Sequence, residues 1–235
     1  MKKSLTASVL TATVLIVGLA SAAHALPALQ LGPGAGTWVY DLGTQTWVTD
    51  TNPFSVFAYA NDTMANGGNG AYAWDPAGAA AQKAFFVVSA IPMVTTDVFD
   101  VTVAGATFVT SGFGAPPVSD PNDLAPHAIF DTWFEIYEFN FTTAATISDT
   151  QPGGTGTGAG FAEELTITIN SLDAGATGVH MDLFTMENTG SISETNVKKF
   201  APFSHDAQNS IPEPGSLLLL SLGLVGAGVA RRRRK

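Results

Sequence analysis

The 235-residue chain has no cysteine and few charged residues, which make up 13% of the sequence. The missing thiols exclude disulfide bonds, cysteine nucleophiles and thiolate metal sites. Between Leu26 and Glu213 there is no arginine, and three lysines stand against 20 acidic residues, a net charge of −17. A segment this acidic repels phosphate backbones, so we expect no nucleic-acid partner.

Common catalytic motifs are also missing. Neither G-x-S-x-G nor H-E-x-x-H occurs. The glycine-rich tract at 153–160 lacks the Lys-Ser/Thr of a nucleotide-binding loop, and we interpret 151–160 as a flexible loop. Ser204, His205 and Asp206 are adjacent, but neighbours on an extended strand point to opposite faces and cannot converge as a catalytic triad. The sequence therefore predicts no catalytic residues and no enzyme.

The N-terminus has the pattern of a secretory signal peptide. Two lysines precede an uncharged apolar run, which ends in the small-x-small sequence Ala23-His24-Ala25. Signal peptidase requires small side chains at the first and third positions before its cut, and Ala23 and Ala25 supply them. We predict that residues 1–25 form a signal helix that is removed after Ala25.

The C-terminus carries a second signal in three parts. Pro212-Glu213-Pro214 is followed by an apolar run from Leu217 to Ala230 and then by five consecutive cations. A short apolar helix ending in such a cluster stops transfer through the membrane, because the cations remain in the cytoplasm. The basic cluster consists of Arg231, Arg232, Arg233, Arg234 and Lys235.

This tripartite end closely resembles the PEP-CTERM sorting domain of Gram-negative bacteria that make exopolysaccharide. The resemblance implies that an exosortase recognises Pro212, Glu213 and Pro214 and removes the tail. It also implies that the chain is exported, is anchored in the inner membrane before processing, and then reaches the cell surface or extracellular matrix. Two prolines hold this segment extended, which suits a protease cleft.

The intervening body, residues 26–208, is predicted to be all-β. Apolar and polar residues alternate in Leu165–Asn170 and Val179–Leu183, as in half-buried strands. Many short strands separated by Gly and Pro favour a β-sandwich or jelly-roll-like body, flanked by the signal helix and a short transmembrane helix in 209–235. Further strands are predicted at 37–40, 45–49, 54–60, 84–89, 98–103, 107–110 and 133–141.

The body resembles the choice-of-anchor N family. The resemblance rests on three segments, Trp38–Tyr59, Tyr137–Phe139 and Ala201–Asp206. It implies a domain joined to different surface-attachment signals and no particular activity.

A calcium site is the one metal site that the sequence suggests. Asp120, Asn122 and Asp123 cluster in one segment, and oxygen ligands on exposed loops suit calcium. The cluster does not have EF-hand spacing, and Asp and Asn are also common in turns, so we expect no cofactor apart from this possible calcium.

Three functions remain open at this stage. The first is a non-catalytic envelope or matrix protein associated with exopolysaccharide, processed by signal peptidase and exosortase. The second is a carbohydrate-binding module, calcium-dependent or not, that stacks sugars on exposed tryptophans. The third is a secreted hydrolase, which requires two close carboxylates in a cleft.

Overall fold

The computed structural model describes residues 26–61, 82–95, 97–114, 131–187, 192, 197–201 and 205–210. Thirteen β-strands form these ranges, and no α-helix occurs among them. The all-β prediction is therefore confirmed for this part of the chain. None of the described segments is a helix of the length and hydropathy needed to cross a bilayer. The predicted helices in 1–25 and 217–230 lie outside the described residues.

The strands form two separate sheets. In chain order they are β1 (Leu29–Pro33), β2 (Trp38–Asp41), β3 (Thr46–Thr49), β4 (Phe54–Asn61), β5 (Gln82–Ile91), β6 (Phe99–Ala104), β7 (Thr107–Gly114), β8 (Thr132–Phe139), β9 (Thr143–Ser148), β10 (Thr157–Leu172), β11 (Gly178–Glu187), β12 (Val197–Phe200) and β13 (Ala207–Ser210).

The five-stranded first sheet has the order β1-β4-β10-β6, and every pairing in it is antiparallel. The long strand β10 serves two neighbours on one edge: its first part pairs with β9 and its last part with β6. The eight-stranded second sheet has the order β2-β3-β13-β11-β5-β8-β7, with β12 also pairing with β11. Its pairings are antiparallel except for β13 with β3, which run parallel.

One hydrophobic core joins the two sheets. The first sheet contributes alternate residues such as Val56, Leu165 and Ile167, and the second contributes Phe86 and Met181, all of them buried. Alternation places one side of each strand in this core, as the sequence pattern requires. The predicted β-sandwich is thus present as two sheets that share a core.

The second sheet is also buried on its outer face, which we define as the face turned away from the shared core. A second cluster lies there, formed by Phe85, Val87, Phe134, Ile136, Phe184 and Met186. Strands β5, β8 and β11 are therefore covered on both sides, which explains the near-continuous apolar run at 84–88. Three polar side chains on this outer face, Ser89, His180 and Asp182, are as inaccessible as those in the core.

The predicted strands match the observed ones, with shifted ends. The predicted loop at 151–160 is only partly a loop, because β10 already begins at Thr157. Gly160 lies in that strand, and a Cβ at this position would stand 2.3 Å from the carbonyl oxygen of Ala60 in β4. Glycine at this position permits the close approach of β10 to β4. The glycine-rich composition of 151–160 predicted a flexible loop, but Gly160 is required by strand packing.

Candidate functional site

Strand β11 carries two polar side chains on the outer face of the second sheet. Val179, Met181 and Leu183 belong to the shared core, so the alternate residues point outward. His180 and Asp182 are two residues apart and therefore lie on the same outer face. Both are buried, with 1% and 4% of their surface exposed.

Asp206 reaches this face through the pairing of β13 with β11. The register places Met181 opposite Ala207 and His180 opposite Gln208, so its continuation sets Asp206 beside Asp182. The backbone of Asp206 is held from the other side, where Trp47 donates its amide to the Asp206 carbonyl oxygen at 3.2 Å. The pairing of β13 with β11 thus brings the Asp206 carboxylate next to the imidazole and the carboxylate of β11.

The geometry of this His180–Asp182–Asp206 cluster is unusual for hydrogen bonding. His180 Nε2 lies 3.4 Å from Asp182 Oδ1 and 3.5 Å from Asp206 Oδ2. Ring N–H to oxygen bonds normally span about 2.7–3.2 Å. One ligand atom from each residue lies within 4.8 Å of the other two, and all three residues are buried. The cluster therefore presents one nitrogen and two oxygens around a common point.

Charge dominates the chemistry of the cluster. Burial favours the neutral imidazole, but the carboxylates of Asp182 and Asp206 outweigh it and raise the pKa of His180 to about 10. A buried imidazolium between two carboxylates has a net charge of −1, and a neutral imidazole leaves −2. Either charge is costly to hold away from water unless a further cation or donor compensates it.

Ser89 of β5 borders the cluster on the same face. The register sets Ser89 directly opposite His180, and Phe85 and Val87 mark this side of β5 as outward. Ser89 is fully buried, and its hydroxyl has no hydrogen-bond partner within the described ranges. The Oδ2 atom of Asp182 likewise has none there. Within the described ranges, one buried polar atom of the cluster and one bordering it thus have no hydrogen bond.

His205 forms a different arrangement, although it precedes Asp206 directly. His205 Nε2 lies 3.0 Å from Asp149 Oδ1, an ordinary hydrogen-bond distance, and both side chains are buried. The same Asp149 oxygen accepts the amide of Gln151 at 2.9 Å. Among the described contacts, His205 thus meets Asp149 while Asp206 meets His180. Ser204 lies outside the described residues.

A third buried polar group lies between the sheets, on the core face of β8. Tyr137 Oη is 2.5 Å from both the Val101 carbonyl oxygen and Glu135 Oε2. One hydroxyl proton serves one acceptor, so both contacts are satisfied when Glu135 is protonated and donates to Tyr137. Burial raises the pKa of Glu135, in agreement with this arrangement. Burial also raises the pKa of Tyr137.

All of the site residues predicted from sequence lie outside the described part of the chain. This applies to the signal-peptidase positions Ala23 and Ala25, to the motif Pro212, Glu213 and Pro214, to the basic cluster at 231–235, and to the suggested calcium ligands Asp120, Asn122 and Asp123. Their functions stay predictions.

Sequence reasoning missed the His180 cluster. The alternation in Val179–Leu183 predicts a half-buried strand, and it assigns no role to His180. The spacing of His180 and Asp182 was a usable signal, because residues two apart on a strand share a face. The approach of Asp206 could not be read in this way, because it depends on which strand pairs with β11.

The comparisons with known proteins concern the C-terminal end. Residues 210–235 match the PEP-CTERM protein-sorting motif. This motif implies exosortase-dependent sorting and a destination at the cell surface or outside the cell. No curated protein matches the chain.

Proposed function

We propose that this chain is an exported, non-catalytic protein of the cell envelope or extracellular matrix, sorted by an exosortase and associated with exopolysaccharide. The observation that carries the proposal is the PEP-CTERM match at residues 210–235. In this proposal signal peptidase removes residues 1–25, and the tail anchors the chain in the inner membrane until the exosortase acts. The β-sandwich body is then the part that works at the surface.

The position of the last strand supports removal of the tail. β13 lies inside the second sheet between β3 and β11, and it ends at Ser210. Its Asn209 is fully buried, and Asn209 Nδ2 donates to the Thr51 carbonyl oxygen at 2.8 Å. Cleavage at Pro212–Pro214 leaves this strand whole, whereas a cut before Ala207 would remove an inner strand of the sheet. The sorting motif therefore begins where the folded body can be released intact.

The acidic composition of the body agrees with a surface or matrix role. Three lysines against 20 acidic residues between Leu26 and Glu213 keep the protein soluble near polyanionic polymers. Any association with an acidic exopolysaccharide then requires neutral sugar contacts or bridging divalent cations, because direct charge attraction is excluded.

The buried placement of the grouped carboxylates supports a non-catalytic role. A hydrolase requires two close carboxylates that a substrate can reach. Asp182 and Asp206 are close, but they are 4% and 1% exposed. Glu135 and Glu138 share β8, yet Glu135 meets Tyr137 in the core while Glu138 pairs with Lys83 at 2.8 Å on the outer side.

The tryptophans favour the matrix protein over a sugar-stacking module. Trp38, Trp47 and Trp133 all pack against the shared core. Trp47 also donates its indole N–H to the Thr150 carbonyl oxygen at 3.0 Å. These three rings are thus used within the fold, and Trp74 lies outside the described residues.

The test follows the full chain in a Gram-negative host with and without an exosortase. We expect the intact mass of the wild-type product to show loss of residues 1–25 and of the C-terminal tail, with the product outside the inner membrane. Replacing Pro212, Glu213 and Pro214 by alanine should leave a membrane-bound chain that retains Lys235. The exosortase-negative host should give the same retained chain from the wild-type sequence.

A matched variant separates recognition from membrane arrest. Replacing the five terminal cations by glutamine leaves the tripeptide intact while removing the stop-transfer signal. We expect this variant to pass through the membrane with its tail uncut. Wild-type and triple-alanine chains that end at the same residue and share one location would refute the sorting part of the proposal. Hydrolysis of host polysaccharide by the purified body would refute the non-catalytic part.

A further inference from the structure

We propose that His180, Asp182 and Asp206 bind a divalent transition-metal ion of the zinc type, which ties the last strand of the body to β11. The proposal rests on the positions of the three ligand atoms, on the charge of the cluster, and on the buried polar atoms beside it. This site is distinct from the calcium cluster suggested by the sequence at 120–123.

The spacing of the ligand atoms fits a metal better than a proton. The two distances from His180 Nε2, 3.4 Å to Asp182 and 3.5 Å to Asp206, exceed the usual range of charge-assisted hydrogen bonds, about 2.7–2.9 Å. In a tetrahedral site the ligand atoms stand about 1.63 bond lengths apart, so zinc bonds of about 2.0–2.1 Å give edges of about 3.3–3.4 Å. The observed distances are therefore close to two edges of a zinc tetrahedron.

The charge of the cluster points the same way. Two carboxylates and a neutral imidazole carry −2, which one divalent cation cancels completely. The three side chains lie where water is largely excluded, at 1–4% exposure, so a bound counter-ion would lower the cost of burying them. One divalent ion therefore matches the charge of the three ligands, in addition to fitting their spacing.

The neighbouring polar atoms supply an independent indication. Ser89 is 0% exposed and has a hydroxyl without a hydrogen-bond partner in the described part of the chain, and the same holds for Asp182 Oδ2. Buried polar atoms are satisfied in the great majority of cases, so such exceptions require an explanation. A metal ion held by Asp182, with Ser89 or a water molecule as the fourth ligand, provides it.

The choice of ion follows from the ligand types. One imidazole nitrogen with two carboxylate oxygens suits zinc and similar first-row divalent ions. Calcium prefers six to eight oxygen ligands at longer distances, about 2.3–2.6 Å, and takes them from flexible oxygen-rich loops. We therefore expect zinc to bind much more tightly than calcium.

The location gives the ion a structural role. Asp206 directly precedes β13, whereas His180 and Asp182 belong to β11. A metal that joins them fixes the last strand in the sheet just upstream of the sorting tail. Binding of the ion is then coupled to docking of β13, because the complete ligand set exists only in the folded arrangement.

The experiment uses the full chain, purified in a mild detergent without a polyhistidine tag and stripped with a chelator. We expect one equivalent of Zn²⁺ to bind, as measured by elemental mass spectrometry after dialysis, with Ca²⁺ unable to displace it. Substitution by Co²⁺ should give the visible absorption bands of a tetrahedral site, which requires no variant and therefore does not depend on mutant folding.

Two variants and a matched control locate the site. H180Q and D206N should each weaken zinc binding by at least about 100-fold, because each removes one direct ligand. H205Q changes the neighbouring buried histidine in the same chemical way and should leave the zinc affinity unchanged. Absence of stoichiometric zinc together with an octahedral Co²⁺ spectrum, or equal zinc affinity of wild type and H180Q, would overturn the proposal. In that case His180 is an imidazolium held between two carboxylates.

Discussion

His180 and His205 offer a comparison within one sheet. Both are buried histidines beside an aspartate. Asp206, which lies beside His180, directly follows His205 in the sequence. His205 meets one oxygen of Asp149 at 3.0 Å, and that oxygen has a second donor in Gln151. His180 stands between two carboxylates at 3.4 and 3.5 Å. The first arrangement has the distance of a hydrogen bond, whereas the second exceeds that distance and places two carboxylates beside one imidazole.

This difference shows why residue type and burial alone do not identify a site. Either histidine satisfies a search for a buried His–Asp pair. The number of carboxylates and the distances separate them, because a hydrogen bond draws two atoms to about 3 Å whereas a shared cation holds its ligands farther apart.

The largest effect is expected from making the same substitution at both histidines. Without metal, H180Q leaves Asp182 and Asp206 as two neighbouring buried carboxylates, which should lower the free energy of unfolding by about 3–5 kcal/mol. H205Q leaves Asp149 with the Gln151 amide as a donor and should cost about 1–2 kcal/mol. Urea unfolding in the presence of a chelator measures both values. Equal losses for the two variants would show that the surplus carboxylate has no energetic consequence.

A double-mutant cycle sharpens the comparison further. H180Q and D206N should show a coupling energy of about 1–3 kcal/mol, because the two side chains interact directly. H205Q and D206N should be additive within about 0.5 kcal/mol, although these residues are adjacent in sequence. The unfolding free energies of the wild type, the three single variants and the two double variants give both values. Strong coupling between positions 205 and 206 would mean that the two clusters act as one.

Glu135 extends the comparison to a buried acid without a cation. Its pKa is raised chiefly by burial, so between its usual value near 4.5 and the raised value the folded state binds more protons than the unfolded state. Stability should therefore fall as the pH rises through this window. Glutamine keeps a donor for Tyr137 without a charge, so E135Q should be more stable than wild type at pH 8 by about 1 kcal/mol, the size of a net hydrogen bond.

The control for this pH dependence is E138Q on the other side of the same strand. Glu138 pairs with the half-exposed Lys83, and such surface pairs contribute about 0–1 kcal/mol. E138Q should follow the wild-type stability curve from pH 4 to 8 with a small constant offset. If the stability of E135Q fell with pH as steeply as that of the wild type, the raised pKa of Glu135 would not be the cause of the pH dependence.

The fold was more predictable from sequence than the cluster was. β6 alternates between buried and exposed residues in Phe99–Ala104, and this alternation is visible in the sequence. β13 reads Ala-Gln-Asn-Ser, which has no apolar period, and its place in the sheet depends on parallel pairing with β3. β1 and β9 were not predicted either, because β1 is buried without alternation from Leu29 to Gly32 and β9 has weak apolar content.

The same reason explains what could be predicted about function. The terminal signals are read by export machinery as contiguous segments, and the sequence displays them directly. The cluster exists only because β11 pairs with β13 in one register, so its third member cannot be assigned from local spacing. A shift of that pairing by one residue would move Asp206 to the other face of the sheet.

The smallest expected effect concerns the hydroxyl of Ser89, and it distinguishes a satisfied polar atom from an unsatisfied one. Thr132 Oγ1 donates to the Ala90 carbonyl oxygen at 3.1 Å and accepts the Val94 amide at 3.0 Å, so T132V should lower stability by about 1–2 kcal/mol. S89A removes a buried hydroxyl that has no such bonds in the described chain. In the presence of a chelator it should be neutral or stabilising by less than about 1 kcal/mol.

Zinc should reverse the sign of the S89A effect. If the hydroxyl or a water held by it completes the coordination of the ion, S89A should bind zinc more weakly than wild type and lose its small advantage once zinc is added. Thermal unfolding with chelator and with zinc, applied to S89A and T132V together, measures this reversal. An S89A chain whose stability relative to wild type is the same in both conditions would place Ser89 outside the coordination of the ion. The ion would then be held by His180, Asp182 and Asp206 without Ser89. The zinc affinities of H180Q and D206N test that arrangement separately.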